Sequence, residues 1–404
     1  MLDEAAVPEN YGEVYEVVDR AFKKARLEKS MIRIIVNEDP KFQKGDLRVA
    51  KAGGKIVSMM MIVRRPLRIG TAIVNGAIVA PVATHPDYQK KGYCSAVMRD
   101  AVQYMEAQGF DLTILWGIPW LYPHYGYSPA MVKTEIVITA KQADLLKKQL
   151  YEFKSVTEAD LEQITRIYHK NTATRTCAEL RSPTMWEWKP EGSEAKVEVI
   201  LDEKGRVIGY VALGTDWGRP CAHEIGVSNE EASGAVFNHL LEIIKSKGLK
   251  EFYCIIHPDH PFARFAFWRN SEMRIQSGGG AGMARVVNLV SLLTKMEQEF
   301  ERRLSHSELQ SLGCTLKISS EEGVATLDID HGRVSATADN SKTDYGLDIS
   351  LSSLNPLITG YKNIEELLKN AGVMVKGGKP AVRLIQVLFP SRFPYGGLLP
   401  LVWE

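Results

Sequence analysis

Apolar positions recur on one face at helical spacing from Tyr11 to Leu27, which predicts an amphipathic helix, and a β-rich stretch is expected after it. Asp46–Ala50 and Ile56–Val63 read as strands joined by a turn at Gly53-Gly54. The next expected strand runs from Ile73 through Thr84, and a polar, glycine-containing loop from His85 to Gly92 follows. A helix over Ser95–Gln108 with a stop at Gly109, then a short buried strand over Asp111–Trp116, complete the segment. Strand, loop, helix and strand in that order form a parallel crossover unit.

The plan recurs downstream. Glu224–Val227 reads as a strand end, Ala232–Lys247 as a helix stopped by Gly248, and Glu251–Ile256 as the next strand. Gly92 and Gly109 find counterparts in Gly234 and Gly248, and Pro119-Trp120-Leu121-Tyr122 resembles Pro261-Phe262-Ala263-Arg264. We read a duplicated domain whose second copy has diverged. From Val286 the pattern changes to a helix (Leu292–Arg303) followed by strands over Thr315–Ile318, Val324–Ile329, Arg333–Thr337 and Leu347–Leu351. A short helix over Asn363–Asn370 follows, and Lys376-Gly377-Gly378-Lys379 is expected to turn between two strands. The fold class is thus α/β (α+β), in domains 1–145, 146–285 and 286–404.

A length of 404 residues exceeds what one compact core normally holds, in line with several domains. The 50 basic and 49 acidic residues leave a net charge of +1, so no global field attracts nucleic acid or an anionic membrane. The start, Met1-Leu2-Asp3-Glu4, lacks the features of a secretory signal, and no apolar run approaches the roughly 18 residues that span a bilayer. Five scattered cysteines without a CxxC pair argue against disulfide or zinc frameworks. These features point to a cytoplasmic protein with no nucleic-acid partner, no membrane insertion and no metal. His257-Pro258-Asp259-His260, which holds two histidines and an acid, reads as a rigid turn.

Chemistry concentrates in Val82-Ala83-Thr84-His85-Pro86-Asp87-Tyr88-Gln89-Lys90-Lys91-Gly92-Tyr93-Cys94-Ser95. A strand ends and a helix begins within a few residues, so N–H groups near Gln89, Lys91, Gly92 and Cys94 would point outward beside the positive end of the helix dipole. Gly92 permits close approach of a phosphate, and Lys90 and Lys91 add positive charge. The residues alone leave open a plain surface loop with solvated lysines. Neither GxxxxGK[ST] nor GxGxxG is present here.

Gln89-Lys90-Lys91-Gly92-Tyr93-Cys94 resembles the Q/R-x-x-G-x-G/A motif of the GCN5-related N-acetyltransferase (GNAT) superfamily, with Cys94 in place of the last small residue. That motif cradles the coenzyme A pyrophosphate, and Val82-Ala83-Thr84 resembles the splayed strand that pairs with pantetheine. The resemblance implies acetyl-CoA as cosubstrate, held by Val82, Ala83, Thr84, Gln89, Lys90, Lys91, Gly92, Tyr93, Cys94 and Ser95. Over essentially the whole chain the closer resemblance is to the Eis-like group. Its members combine a GNAT domain, a degenerate second GNAT copy and a sterol-carrier-protein-like C-terminal domain. Self-association, with a hexamer as the group's form, is implied as well. Ser228-Asn229-Glu230-Glu231 stands where the first copy has its basic loop, and two carboxylates there would repel a diphosphate.

Acetyl transfer needs an amine freed of its proton and a leaving thiolate that regains one. By resemblance to Eis-like enzymes, Tyr122 in Leu121-Tyr122-Pro123-His124-Tyr125-Gly126-Tyr127 is the general acid, with His124 as a rival and Tyr127 as packing. The base, again by resemblance, is the terminal carboxylate of Glu404, which closes the apolar run Leu398-Leu399-Pro400-Leu401-Val402-Trp403. The implied acceptor is a small-molecule primary amine, such as a polyamine or aminoglycoside-like compound, or a lysine-bearing peptide. Three readings compete: an acetyl-CoA-dependent N-acetyltransferase acting by direct attack in a ternary complex, a non-catalytic acyl-CoA- or lipid-binding protein, and transfer of a long acyl chain, which would need a deep apolar channel.

Overall fold

A computed structural model describes residues 2–22, 25–145, 151–216, 218–276, 282–339 and 341–394. The chain opens with β1 (Leu2–Ala5), α1 (Tyr11–Ala21), α2 (Ala25–Glu38), β2 (Leu47–Ala52), β3 (Lys55–Arg64), β4 (Leu67–Ile69) and β5 (Ala72–Val74). Next come β6 (Gly76–Thr84), α3 (Tyr93–Ala107), β7 (Leu112–Trp116) and β8 (Ser128–Pro129). The middle holds β9 (Lys133–Thr139), β10 (Glu152–Ser155), α4 (Leu161–Thr172), β11 (Thr176–Glu179), β12 (Lys196–Leu201), β13 (Val207–Asp216) and β14 (Arg219–Val227). It ends with α5 (Glu230–Ser246), β15 (Glu251–Ile255), α6 (Pro261–Phe267) and β16 (Glu272–Gln276). The last part runs β17 (Gly282–Val286), α7 (Leu289–Lys295), α8 (Glu297–Ser305), β18 (Gly313–Ser320), β19 (Gly323–Asp330), β20 (Arg333–Thr337), β21 (Tyr345–Ile349), α9 (Leu351–Thr359), α10 (Ile364–Leu367), β22 (Val373–Lys376) and α11 (Gly378–Leu388). Among the described residues no helix is long and apolar enough to cross a membrane.

The described residues pack as two compact units. One comprises those of Met1–Met131, Thr174–Glu179 and Gly278–Pro394, the other those of Val132–Ala173 and Leu180–Ser277. The first unit holds a mixed sheet in the order β1-β2-β3-β6-β7-β17-β8, a small sheet β11-β4-β5 and a sheet β20-β19-β18-β21-β22. In its main core α3 lays Val97, Met98, Ala101 and Met105 onto Met60, Ile62, Val79 and Leu115. Each of these side chains other than Ala101 is worth roughly 1.5–3 kcal/mol when withdrawn from water. The second unit has one sheet, β10-β12-β13-β14-β15-β9-β16. There α5 packs Val236, Leu240, Leu241 and Ile244 against Ile138, Ile200, Val211 and Phe252.

Several elements differ from the sequence reading. A helix, α2, stands where β structure was expected: Ile34-Ile35-Val36 looks strand-like, but Met31, Ile32, Ile34 and Ile35 are buried while Arg33 and Asn37 are exposed, which is helical spacing. The expected Ile73–Thr84 strand is broken into β5 and β6. The expected Leu292–Arg303 helix is two, divided at Met296. Leu351 opens a helix instead of closing a strand, because the alternation Leu347, Ile349, Leu351 runs on past the end of β21. Lys376-Gly377-Gly378-Lys379 does not join two strands: Gly377, at φ 109°, turns β22 into α11. Gly109 and Gly248 do play one part, each left-handed just past its helix, at φ 68° and 61°. Gly92 and Gly234 do not, since Gly92 precedes α3 whereas Gly234 lies inside α5.

A buried carboxylate ties the β4–β5 turn to α8. Glu299 accepts from Thr71 N at 3.1 Å and Thr71 Oγ1 at 2.6 Å, and pairs with Arg302 and Arg303 at 2.7 Å each. Burial alone would raise its pKa, but the Arg302 hydrogen bond, the Arg303 charge and the Thr71 donors outweigh it and hold the group at about 2. With the folded pKa below the ordinary 4.5, this stability is present above pH 4.5 and is lost as pH falls toward 2. Chemical denaturation between pH 6 and pH 3 is therefore expected to show a fall in stability that is smaller in Glu299→Gln (roughly one carboxylate's worth of linkage).

Candidate active site

The site is built on two parallel strands that part. β6 pairs with β7 only through Gly76↔Leu112, Ala77↔Thr113 and Ile78↔Ile114. Beyond that point β6 stays with β3, after a register irregularity between Met60 and Ile62, through Met60↔Val82, Met59↔Ala83 and Ser58↔Thr84. β7 meanwhile continues against β17 through Leu115↔Met283 and Trp116↔Gly282. The far half of β6 thus carries backbone groups on its β7 side that β7 does not meet, the kind of edge an extended ligand can join.

At the end of β6 the chain makes a short turn over Pro86–Tyr88, with His85 Nδ1 accepting from Asp87 N at 3.3 Å. Lys90 (φ 59°) and Gly92 (φ 88°) are both left-handed, and α3 starts directly after them. No side chain caps this helix. Its first backbone bond runs from Ala96 N to Gly92 O, so helix geometry leaves the N–H groups of Tyr93, Cys94 and Ser95 for another acceptor. A side chain built on Gly92 would meet nothing within 4 Å, so the space over the helix start is open. Open donors, the helix dipole and the unpaired strand edge together fit a phosphate-bearing ligand with an extended arm. Of the loop's polar side chains, Gln89 Nε2 donates to Thr84 O at 3.3 Å, and Lys91 Nζ bends back to Asp87 O at 2.7 Å over the Tyr88 ring. Lys90 points to solvent.

Cys94 is half-buried, and burial raises its thiol pKa against an opposing hydrogen bond with Thr84. A raised pKa keeps the thiol protonated, so Cys94 is poorly suited to act as a nucleophile.

Tyr122 follows β7 in a short turn over Tyr122–Tyr125 and is 8% exposed. Burial first, then the neighbourhood of Cys94 and Tyr127, pushes its phenol well above the ordinary 10. Its ring lies over Gly117, where a Cβ would overlap it, and meets Tyr127 edge-on at 6.1 Å. Tyr125 OH donates to Ser95 Oγ at 2.8 Å, so the Tyr122 turn is tied to the start of α3. Tyr127 is buried against Thr113 Oγ1 at 2.9 Å, and burial lifts its phenol to about 12. His124 is exposed. The structure thus gathers Val82–Thr84, Gln89–Ser95 and Tyr122 at one corner. Glu404 lies outside the described residues.

Sequence reasoning missed the residues that hold the Tyr122 turn from behind. Asn355, fully buried on α9, donates through Nδ2 to Gly126 O at 2.9 Å and Ser128 Oγ at 3.1 Å, and its Oδ1 accepts from Val286 N at 2.8 Å. Thr359 Oγ1, one turn on, donates to Ala130 O at 3.1 Å. Arg285 of β17 lies against Gly126, which at φ 81° has no side chain to displace it, and pairs with Glu322 at 2.9 Å and Glu106 at 3.2 Å. The only local signal was Gly126 itself.

Residues 5–130 match the family model of the acetyltransferase (GNAT) domain. No curated protein sequence matches the chain. Among solved structures, a GCN5-related N-acetyltransferase from Kribbella flavida has 16% identity and a TM-score of 0.72, covering 98% of each chain. One from Anabaena variabilis has 14% identity and a TM-score of 0.74, covering 97% of this chain and 98% of its own. Eis1 from Mycobacterium abscessus has 15% identity and a TM-score of 0.66, covering 98% of this chain and 100% of its own. Likeness at that identity speaks for the fold, and the family model speaks for the domain that carries the open helix start. Residues 5–130 therefore match a GNAT acetyltransferase domain, in a chain whose fold is similar over nearly its whole length to those of Eis1 and the related GNAT structures.

Proposed function

We propose that the protein is an N-acetyltransferase that moves the acetyl group of acetyl-CoA to a primary amine by direct attack in a ternary complex. The observation that carries this reading is the uncapped start of α3 behind Gly92, beside the parted strands and within reach of Tyr122. Acetyl-CoA supplies an activated acetyl thioester. Residues Tyr93, Cys94 and Ser95 offer backbone donors to its diphosphate, with Gln89, Lys90, Lys91 and Gly92 shaping that cradle, while Val82, Ala83 and Thr84 offer a strand edge to its arm. Tyr122, held protonated by burial, returns a proton to the leaving sulfur. The half-buried thiol of Cys94, its pKa raised by desolvation, stays out of the covalent chemistry.

The acceptor class is a polyamine, an aminoglycoside-like compound or a lysine side chain, and the base is the terminal carboxylate of Glu404. Both rest on the Eis-like resemblance. By the same reading residues 1–145 are the catalytic domain, 146–285 a degenerate GNAT copy and 286–404 a sterol-carrier-protein-like domain. The assembly is a cytoplasmic homo-oligomer.

Release of free coenzyme A from acetyl-CoA, followed with a thiol reagent across polyamines, aminoglycosides and lysine peptides, tests the reading. Amine-dependent release is expected, lowered about 10²–10⁴-fold in Tyr122→Phe and sharply reduced when Glu404 is removed. Acetyl-CoA binding without turnover of any amine would favour the non-catalytic acyl-CoA-binding reading, and no binding would overturn both. Because the Tyr122 phenol is raised, its alkaline limb should lie above pH 10, since an acid acts only while protonated.

Gly92→Ala should act on the cosubstrate alone. An L side chain at φ 88° is strained by about 1–2 kcal/mol and its Cβ enters the open space over the helix start where a diphosphate would lie, so KM for acetyl-CoA is expected to rise about tenfold with kcat little changed. Asn355→Asp should do the reverse. It keeps the acceptor for Val286 N but sets a carboxylate oxygen against Gly126 O, which loosens the Tyr122 turn. The expected outcome is a fall in kcat of roughly tenfold or more at unchanged KM for acetyl-CoA, and a Tyr122 alkaline limb moved toward the ordinary value. Equal losses in kcat and in cosubstrate affinity would mark Asn355 as merely structural.

A further inference from the structure

The second unit contains a cavity of about 550 Å³ where β14 ends, bounded by α4, α5 and α6. Its position in the sheet is that of the cofactor corner in the first unit. Here too the parallel pair parts early, β14 meeting β15 only through Cys221↔Tyr253 and Ala222↔Cys254. The backbone groups at the strand end, and one donor at the helix start, are nevertheless taken. Asn171 binds both sides of Val227, donating to its carbonyl and accepting from its N–H at 2.9 Å each. Asn229 caps α5 by accepting from Ala232 N at 2.8 Å, and Glu230 and Glu231 occupy the first turn. Most of the polar groups that face this cavity belong to side chains.

Those side chains carry both signs of charge. Lys170, Arg264 and Arg269 face the cavity together with Glu230 and Asp259. Lys170 Nζ donates to Ser228 O at 3.1 Å, and Arg269 is held over the Phe265 ring with a bond to Phe265 O at 3.1 Å. Among the described residues the side chains of Arg264 and Glu230 make no ion pair or hydrogen bond, although both line the same cavity. An aromatic wall stands beside them: Phe265, and Trp268 with 78% of its surface exposed. A phosphate or other pure anion would meet Glu230 and Asp259, and a simple amine would meet three cations. A molecule with one carboxylate, one ammonium and a flat apolar part satisfies all three features.

We propose that this cavity binds an amphoteric small molecule, a free amino acid or short peptide with an aromatic side chain. Arg264 takes the carboxylate, Glu230 the ammonium, and Trp268 with Phe265 the ring. A volume of about 550 Å³ lies within the range of small-ligand sites, roughly 300–1,000 Å³. The site is independent of acetyl transfer and stands whether or not Tyr122 is the acid.

Titration calorimetry on the full chain tests it, with L-phenylalanine, glycyl-L-phenylalanine, 3-phenylpropionate and phenethylamine as probes. Saturable binding of at least one of the first two is expected, with both single-charge analogues weaker by about tenfold or more. Arg264→Gln should abolish the preference over phenethylamine, and Glu230→Gln the preference over 3-phenylpropionate. Both positions are exposed, so neither change should disturb folding. The proposal is overturned if no probe binds up to roughly 10 mM, if all bind equally, or if neither variant alters the ranking.

Discussion

Everything proposed for the first unit depends on where β6 leaves β7. Pairing ends at Ile78↔Ile114, and each strand then finds a different neighbour, β3 for one and β17 for the other. Were the ladder to continue, the sheet would satisfy its own backbone and nothing extended could join it. The opening also sets the helix. α3 must start over the gap, and it does so behind Gly92 without a capping side chain, so its unpaired donors face the same space as the unpaired strand edge. Two incomplete hydrogen-bonding surfaces, each costly if buried dry, are complementary to one ligand.

The turn that bears Tyr122 is held from distant parts of the chain. Asn355 reaches Gly126 across 229 positions of sequence, and Arg285 closes on the same residue from β17. Such bracing suits a residue whose protonation is set by burial. A phenol raised by desolvation is an acid of fixed character only while the walls around it stay put. The last part of the chain therefore belongs physically to the corner that holds Tyr122.

That division explains what was legible. The strand–loop–helix–strand order from β6 to β7, the stop at Gly109 and the basic loop could be read because each rests on local periodicity or on a residue's own backbone freedom. α2 and α9 could not, since Ile34-Ile35-Val36 and the alternation ending at Leu351 favour strands locally and become helices through packing. Asn355 left no trace in the sequence, because a buried amide and a surface one look alike until the partners 229 positions away are brought in. The terminal carboxylate rests on resemblance, as residue 404 lies outside the described residues.

The contrast between the two units shows how local the difference is between an open helix start and a capped one. Residues 85–92 separate β6 from α3, whereas only Ser228-Asn229 separate β14 from α5. The shorter link carries no left-handed glycine before its helix, puts a capping Asn229 where an open donor would be, and admits Glu230 and Glu231 into the first turn. Asn171 then seals the strand end. Each of these features is a small local stabilisation of a helix or a strand. Where the first unit has an open helix start, the second has a cavity whose walls include Arg264, Glu230 and Trp268, and a cavity lined by side chains can change its ligand without changing the fold.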